Sequence, residues 1–156
     1  MGKHVLVIAT SLRSPSNSDA LAEAFASGAQ AAGHSVETIS LKGKDLNFCT
    51  GCLACQRTHT CPIRDDCAAI VEKMRQAEVL AFATPIYYYE MSGQMKTLLD
   101  RANPLYGTQY AFGSIYLLTC AAEKIVYLRG ERHIAEACEL PRVEAAPLQR
   151  ACHREV

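Results

Sequence analysis

The sequence has no excess of charge of either sign, because its 16 Lys and Arg residues are balanced by 16 Asp and Glu residues. No global field draws such a chain to nucleic acid or to an anionic membrane, and we expect neither as a partner. The apolar run Val5 to Ala9 near the start is too short for a membrane span, and no small-residue cleavage site of a signal peptide follows it. We therefore expect a cytoplasmic protein that acts on a small molecule.

Several motifs with well-defined chemistry are also absent. The sequence contains no G-x-G-x-x-G dinucleotide fingerprint and no G-x4-G-K-[ST] phosphate loop. It contains neither G-x-S-x-G nor H-E-x-x-H, which argues against hydrolysis. The neighbouring carboxylates Asp65 and Asp66 precede a helical pattern, and charges at a helix start explain them better than a catalytic pair. With no repeat, low-complexity tract or linker, residues 1–156 are expected to form one domain.

Apolar runs that alternate with helical patterns predict an α/β fold with a parallel sheet. Val5 to Ala9 and Val79 to Ala83 are continuous apolar runs, which are typical of strands buried on both faces. Weaker patterns predict strands over residues 36–41 and 114–119, and helices over about 19–32, 66–76 and 92–102. Residues 42–64 have no periodicity and carry four cysteines, so we expect a long functional loop, named the cysteine loop below.

The region from about residue 122 onward is an atypical C-terminal tail. Another parallel strand needs a crossover of about a dozen residues or more, yet Ile125 to Leu128 follows the fourth strand by only a few. That stretch fits an edge element, part of a helix or an irregular tail, and Ile134 to Leu140 fits a short helix. The fifth strand of the sheet is therefore expected to be absent, displaced or supplied in another way.

The loop after the first strand is suited to a phosphate. The carboxyl ends of parallel strands form a crevice, and a helix that begins there presents free amides and a positive dipole end. Residues 10–18, named the serine loop below, supply hydroxyl, amide and guanidinium donors from Ser11, Arg13, Ser16, Asn17 and Ser18. One of residues 16–18 is also expected to cap the helix. The alternative is that this loop only turns the chain and caps the helix.

Two more loops are expected at the same edge of the sheet. Thr84-Pro85-Ile86-Tyr87-Tyr88-Tyr89 combines a rigid proline with three aromatic residues, so that a tyrosine can stack on a planar heterocycle while the backbone contacts its edge. The alternative for these tyrosines is packing in a core or an oligomer interface. The loop Thr119-Cys120-Ala121 is expected to meet the other side of such a ring and to offer amides that stabilise negative charge on it.

Three segments together resemble the NADPH-dependent FMN reductase family of flavodoxin-like proteins, including its iron-sulfur flavoprotein branch: SLRSPSNS, CTGCLACQRTHTCPIRDDC and TPIYYYEMSGQMKTLLDR. The resemblance covers about residues 3–121 and implies a three-layer α/β sandwich with parallel strand order 2-1-3-4. It implies an enzyme that passes electrons from NADPH or NADH through FMN to a quinone, another small oxidant or a protein acceptor. It also implies a homodimer or homotetramer, with the segment around Lys96, Asp100 and Arg101 at the interface.

The same resemblance implies which residues hold FMN. The phosphate is assigned to the five donors of the serine loop, and the nicotinamide is expected to stack on the exposed flavin face. The ribityl chain and the ring system are assigned to Pro85, Ile86, Tyr87 and Tyr88, and the site is closed by Thr119 and Cys120. The long helix and final strand that usually follow the fourth strand of the family are not recognisable here, so the nicotinamide side departs from the pattern.

Eight cysteines without an export signal indicate thiols that are kept reduced for metal or redox chemistry. Cys49, Cys52, Cys55 and Cys61 form C-x2-C-x2-C-x5-C, which is similar to the spacing in iron-sulfur flavoproteins and can supply four thiolates to a [4Fe-4S] cluster. Zinc held by these cysteines, with or without His59, and a loop of free thiols are the alternatives. Two other functions stay open: an FMN and iron-sulfur electron carrier or redox sensor, and a zinc-binding interaction module.

Overall fold

The computed structural model describes residues 2–122 and, beyond them, only the backbone of residues 125–128 and 131–134. Four parallel strands form the main sheet in the order β2-β1-β3-β5, and the short β4 pairs antiparallel with the end of β3. In chain order the elements are β1 (His4–Ala9), α1 (Asn17–Ala31), β2 (Ser35–Ser40), α2 (Ala54–Thr58), α3 (Asp66–Gln76), β3 (Val79–Tyr87), β4 (Glu90–Met91), α4 (Gly93–Arg101), a 3-10 helix (Asn103–Leu105) and β5 (Ser114–Cys120). Since β5 is the fourth parallel strand, the predicted order 2-1-3-4 is confirmed.

Helices cover both faces of the sheet, which makes the three-layer sandwich that the sequence predicted. Alternate residues of the two central strands point to opposite faces. On one face Leu6, Ile8, Leu80 and Phe82 pack with residues of α3 and α4 in a core of large side chains. On the other face small residues of β1 and β3 pack against α1, and they include Val7, Ala9, Ala81 and Ala83. The small side chains let α1 lie close to the sheet, near the strand ends.

Among the described residues, helix cover reaches only one face of the outer strand β5. Tyr116 and Leu118 face α1, where the Tyr116 ring lies 5.3 Å from that of Phe25. Ile115 and Leu117 point to the opposite face and stay 60% and 45% exposed, although strands of parallel sheets are normally covered on both faces. The sheet therefore ends in an exposed apolar patch.

Element boundaries differ from the predicted ones at two places. The third strand continues past Ala83 to Tyr87 and turns into β4, so Pro85, Ile86 and Tyr87 belong to a strand rather than to a loop. The helix after it is α4, as predicted. Within the cysteine loop, Ala54–Thr58 forms the short helix α2, which the sequence pattern did not predict. The rest of that loop, before and after α2, has no regular structure, as expected.

The described part of the tail contains two short strands. β6 (Ile125–Leu128) and β7 (Glu131–Ile134) form a separate antiparallel sheet, so the 125–128 stretch is a strand. The predicted helix is wrong at Ile134, which ends β7, and residues 135–140 lie outside the described residues. Within the described residues no fifth parallel strand is present. No helix in this part of the chain has the length and hydropathy needed to cross a membrane.

Leu6 provides a test of the core. Replacing this fully buried residue of the central strand β1 with alanine leaves a cavity between the sheet and α3 and α4. We expect Leu6→Ala to lower the free energy of unfolding by about 2–5 kcal/mol in urea titrations followed by circular dichroism. Leu12→Ala, at an exposed leucine of the serine loop, is the control, with an expected loss below about 1 kcal/mol. Equal losses would contradict the assigned core.

Candidate functional site

A cavity of about 220 Å³ opens at the carboxyl edge of the sheet, between the serine loop and the ends of β3 and β5. Ala121, which belongs to the third predicted loop, and Ala122, which the sequence did not single out, complete its lining. Nine of the eleven predicted cofactor residues line it: Ser11, Arg13, Ser16, Asn17, Ser18, Pro85, Ile86, Tyr87 and Cys120. The structure therefore brings the three predicted loops together around one cavity.

The start of α1 offers hydrogen-bond donors to this cavity. The hydroxyl of Ser16 caps the helix by accepting the amide of Asp19 at 3.1 Å, as the sequence predicted for one of residues 16–18. The first amides of a helix have no acceptor within the helix, so those of Asn17 and Ser18 are available to an anion. The guanidinium of Arg13 is exposed and makes no hydrogen bond or ion pair to any described residue. Backbone and side-chain donors thus converge on the same end of the cavity.

Two serine hydroxyls of the serine loop are used within the protein. Ser18 is fully buried, and its Oγ lies 3.1 Å from the Cys120 Sγ at the end of β5. The Ser11 Oγ accepts the amide of Arg13 at 3.3 Å. These contacts hold the loop in shape and join α1 to β5 across the cavity. The amide of Ser18, rather than its hydroxyl, is the group left for a ligand.

A buried hydroxyl cluster connects the ends of the two central strands to α4. Ser92, the residue before α4, has its Oγ 3.1 Å from the Thr10 Oγ1, and the Thr84 Oγ1 donates to it at 3.2 Å. The Gln94 side chain donates to the Thr10 carbonyl at 2.5 Å. Sequence reasoning did not include these residues in the site. The available signal was that Thr10 and Thr84 are the first polar residues after the two most apolar strands.

The three tyrosines take different positions in the hairpin between β3 and β4. Tyr87 ends β3 and lines the cavity, whereas Tyr88 and Tyr89 form the turn with positive φ angles of 49° and 65°. Two-residue hairpin turns require such angles, and non-glycine residues adopt them at a cost of about 1–3 kcal/mol. Tyr88 is 95% exposed and does not line the cavity. Thr119 pairs with Thr84 in the sheet and is also not part of the lining.

The cysteine loop has an inner and an outer half. Cys55 is buried, and its Sγ accepts a hydrogen bond from the Asn103 Nδ2 at 3.2 Å, while Cys61 is partly buried. Cys49 and Cys52 are exposed. Among the described residues, no three His, Cys, Asp or Glu side chains lie together closely enough to bind a metal ion. Four thiols are the right donor chemistry for an iron-sulfur cluster, but their arrangement in this structure does not form a closed site.

A buried ion pair joins the cysteine loop to the sandwich. Arg101, the last residue of α4, and Asp65, the N-cap of α3, are 2.6 and 2.9 Å apart at their two contacts, and both side chains are fully buried. Asp65 also accepts the amides of Asn47 and Cys67. The expected helix-start role of Asp65 is confirmed, but the sequence did not reveal its partner. The Arg101 side chain is enclosed by its own chain, and the predicted interface around Lys96, Asp100 and Arg101 stays a prediction.

Burial and charge shift two pKa values in this region. Burial alone opposes ionisation of Asp65, but hydrogen bonds from Arg101 and the Asn47 amide, with the Arg101 charge, hold the pKa of that carboxyl below its ordinary value. Burial, reinforced by the negative charge of Asp65, raises the pKa of the Cys67 thiol to about 11. Cys67 therefore stays a neutral thiol at physiological pH.

Comparison with known proteins gives the family. The model of the NADPH-dependent FMN reductase family matches residues 4–127, which include the whole main sheet and all three loops of the cavity. The chain belongs to the NADPH-dependent FMN reductase family. The sequence resemblance is thereby confirmed, and the strands of the family fold are those described above.

Related sequences include iron-sulfur flavoproteins. One from Methanocaldococcus jannaschii is 42% identical over 73 residues, which are 47% of this chain and 38% of the relative. A Bacillus subtilis protein named as an NAD(P)H-dependent FMN-containing oxidoreductase is 34% identical over 98 residues, 62% of this chain and 50% of the relative. This family member therefore spans half the length or less of these relatives.

Solved structures show the same flavodoxin-like fold. An NAD(P)H:quinone oxidoreductase from Methanothermobacter marburgensis has a TM-score of 0.66 at 21% identity, covering 79% of this chain and 67% of the other. An azoreductase from Bacillus anthracis has a TM-score of 0.53 at 18% identity, covering 76% and 69%. At these identities the likeness concerns the fold alone.

The Asp65 and Arg101 pair makes stability depend on pH. Because the folded-state pKa of Asp65 lies below its ordinary 3.8, the contribution of the pair is complete above that value and is lost as the pH falls through the lower folded-state value. We expect the free energy of unfolding of the wild type to fall more steeply than that of Asp65→Asn when urea titrations are carried from about pH 6 to pH 2. Parallel pH profiles would contradict the assigned ion pair.

Removing the carboxylate entirely leaves a buried arginine without its partner. Asp65→Ala is expected to cost about 3–5 kcal/mol of unfolding free energy at neutral pH. Glu72→Ala, which removes the exposed carboxylate near Arg75 on α3, is the control and is expected to cost less than about 1 kcal/mol. Differential scanning calorimetry measures both, and a similar small loss in each variant would show that the buried pair is not stabilising.

Proposed function

We propose that this chain binds FMN in the cavity at the carboxyl edge of the sheet and transfers electrons from NADPH or NADH through it to a small acceptor such as a quinone. The observation that carries the proposal is the convergence of the serine loop, the β3 end and the β5 end on one cavity in a member of this family. FMN supplies the two-electron chemistry, accepting hydride from the nicotinamide and passing electrons to the acceptor.

The serine loop is the proposed phosphate site. The amides of Asn17 and Ser18 lie at the start of α1, where the helix dipole favours an anion, and Arg13 adds a positive charge that has no partner among the described residues. Ser16 and Ser11 shape the loop through their own hydrogen bonds. Together these groups replace the water that a phosphate dianion loses on binding.

The β3 and β5 ends are the proposed site for the ribityl chain and the ring system. Pro85 and Ile86 form an apolar wall, and Tyr87, which is half exposed at the rim, offers an aromatic face. Cys120 and the backbone of Ala121 close the opposite side, where amides stabilise negative charge on a reduced ring. Tyr88 and Thr119 remain predicted contacts, and Tyr88 reaches a ligand only if the hairpin side chains turn inward.

We also propose that the protein works as a homodimer or homotetramer. The exposed apolar face of β5 supports an oligomer, since contiguous apolar surface on a soluble domain commonly marks a contact site. The acceptor in this proposal is a quinone, another small oxidant or a protein.

A second candidate function is an electron carrier or redox sensor in which a [4Fe-4S] cluster exchanges electrons with the flavin. Four thiols at cluster spacing in the cysteine loop favour it, as do the relatives named iron-sulfur flavoproteins. The cluster would be held by Cys49, Cys52, Cys55 and Cys61. The outer two of these cysteines have to approach the inner two for such a site to form.

The absorption spectrum of anaerobically purified protein distinguishes these functions. We expect the two absorption bands of bound flavin, with bleaching within seconds of adding NADPH or NADH and recovery on adding a quinone. Rapid reduction by ferredoxin with sluggish reduction by either nicotinamide would favour the carrier. A colourless protein with stoichiometric zinc would contradict the flavin proposal and favour an interaction module.

The phosphate site is tested by removing its free charge. Arg13→Ala is expected to weaken FMN binding by about 10- to 100-fold, because a charge-assisted hydrogen bond contributes about 1.5–3 kcal/mol. Titration of apoprotein followed by quenching of FMN fluorescence measures the dissociation constant. Lys3→Ala, at the amino-terminal end of β1 and far from the cavity edge, is the control with unchanged affinity. Riboflavin, which lacks the phosphate, should bind the wild type and Arg13→Ala equally.

A further inference from the structure

The buried side chain of Arg101 binds the backbone on both sides of the four-cysteine motif. The Nη1 of Arg101 donates to the Asn47 carbonyl at 2.7 Å, and its Nη2 donates to the Ile63 carbonyl at 3.1 Å. Asn47 lies two residues before the first cysteine of the motif, and Ile63 lies two residues after the last. A single planar guanidinium therefore brings the two ends of the cysteine segment together.

The halves of the segment differ in how they are fixed. On the inner side Arg75 donates to the His59 carbonyl at 3.1 Å, between the two inner cysteines, and Cys55 is held by Asn103. On the outer side no hydrogen bond ties residues 48–52 to another part of the described chain, and Cys49 and Cys52 are exposed. This contrast explains why the four thiols do not converge in the structure.

Arg101 also places a permanent charge against the stretch of chain that carries Cys61 and Cys67. An arginine guanidinium is charged at every physiological pH, and its hydrogen bonds to the Ile63 carbonyl and to Asp65 hold it against this stretch. Its Nε is buried and has no hydrogen-bond partner among the described residues. An unpartnered buried donor near thiols is suited to the negative charge that thiolates carry when they bind a metal.

We propose that Arg101 is the positioning residue of the cysteine loop: through the Ile63 carbonyl it holds the inner thiol Cys61 in place, while Asn103 holds Cys55, so that only Cys49 and Cys52 move when a metal centre forms. We call the two contacts of Arg101 with the carbonyls of Asn47 and Ile63 the clamp. Because the clamp joins the two ends of the cysteine segment before the metal binds, it lowers the entropy cost of bringing four thiols of one loop together. The metal part of this inference rests on the second candidate function above, whereas the clamp itself does not.

The clamp is tested on FMN-loaded, metal-free protein by site-resolved alkylation. Iodoacetamide is added in excess, and peptide mass spectrometry follows the modification of each cysteine with time. In the wild type we expect Cys49 and Cys52 to react at least about tenfold faster than Cys55 and Cys61, because reaction at held thiols requires local opening. In Arg101→Met the rate at Cys61 should rise about tenfold or more.

Two thiols outside the loop show whether the effect is local. Cys67 and Cys120 are buried in the sandwich, so they should stay protected in Arg101→Met if only the clamp is lost. Arg101→Lys keeps the charge but cannot reach both carbonyls with one planar group, so we expect an intermediate rate at Cys61. Lys96→Met, on the exposed face of the same helix, removes only the surface pair with Asp100 and should leave every rate unchanged.

Each result decides the proposal. Unchanged protection of Cys61 in both Arg101 variants would overturn the clamp, and so would exposure of Cys67 and Cys120 in both, which would show a general role in folding. Anaerobic reconstitution with ferrous iron and sulfide then tests the metal part, with iron content expected to fall several-fold in Arg101→Met at limiting iron while FMN binding is retained. A wild type that takes up no iron would refute the cluster function, yet the alkylation pattern would still decide on the clamp.

Discussion

The burial of β1 and β3 on both faces is the constraint on which the rest of this structure depends. Large side chains fill one face, and valines and alanines fill the other, so neither face of the central strands can carry polar chemistry. Polar functional groups therefore lie at the ends of the strands. Because the strands are parallel, each one ends at the same edge of the sheet. The serine loop, the hairpin between β3 and β4, and the end of β5 meet at this edge.

The sequence predicted this part of the molecule well, because the signals are local. Continuous apolar runs locate β1 and β3. The capping residue Ser16 in the serine loop indicates the start of α1. The rule that parallel strands share an edge then joins loops that are distant in the chain, such as those of Ser18 and Cys120, which are 102 residues apart. Nine of the eleven residues chosen in this way line the cavity, and the other two, Tyr88 and Thr119, are direct neighbours of residues that do.

Other features were not predicted because they depend on contacts between distant segments. No pattern near Arg101 shows that it turns inward to Asp65, since an arginine at the end of an amphipathic helix is normally exposed and interacts favourably with the helix dipole. The hairpin at Tyr88 and Tyr89 was missed because tyrosines rarely adopt positive φ, and turn prediction looks for Asn or Gly at such positions. The short helix α2 was missed because neither of its ends carries a capping side chain.

The helix α4 gives the two candidate sites a common support. At its start, Ser92 and Gln94 make hydrogen bonds with Thr10, and Ser92 also contacts Thr84, beside the cavity. At its other end, Arg101 binds the cysteine loop. A helix of this length is rigid and rises about 1.5 Å per residue, so its ends are about 14 Å apart. The position of the cysteine loop relative to the cavity is therefore determined by one straight element rather than by the loop itself. Electron exchange between thiol-bound metal and a flavin would require a constant distance between the cysteine loop and the cavity. The helix α4 maintains that distance whether or not Cys49 and Cys52 have moved towards the inner thiols.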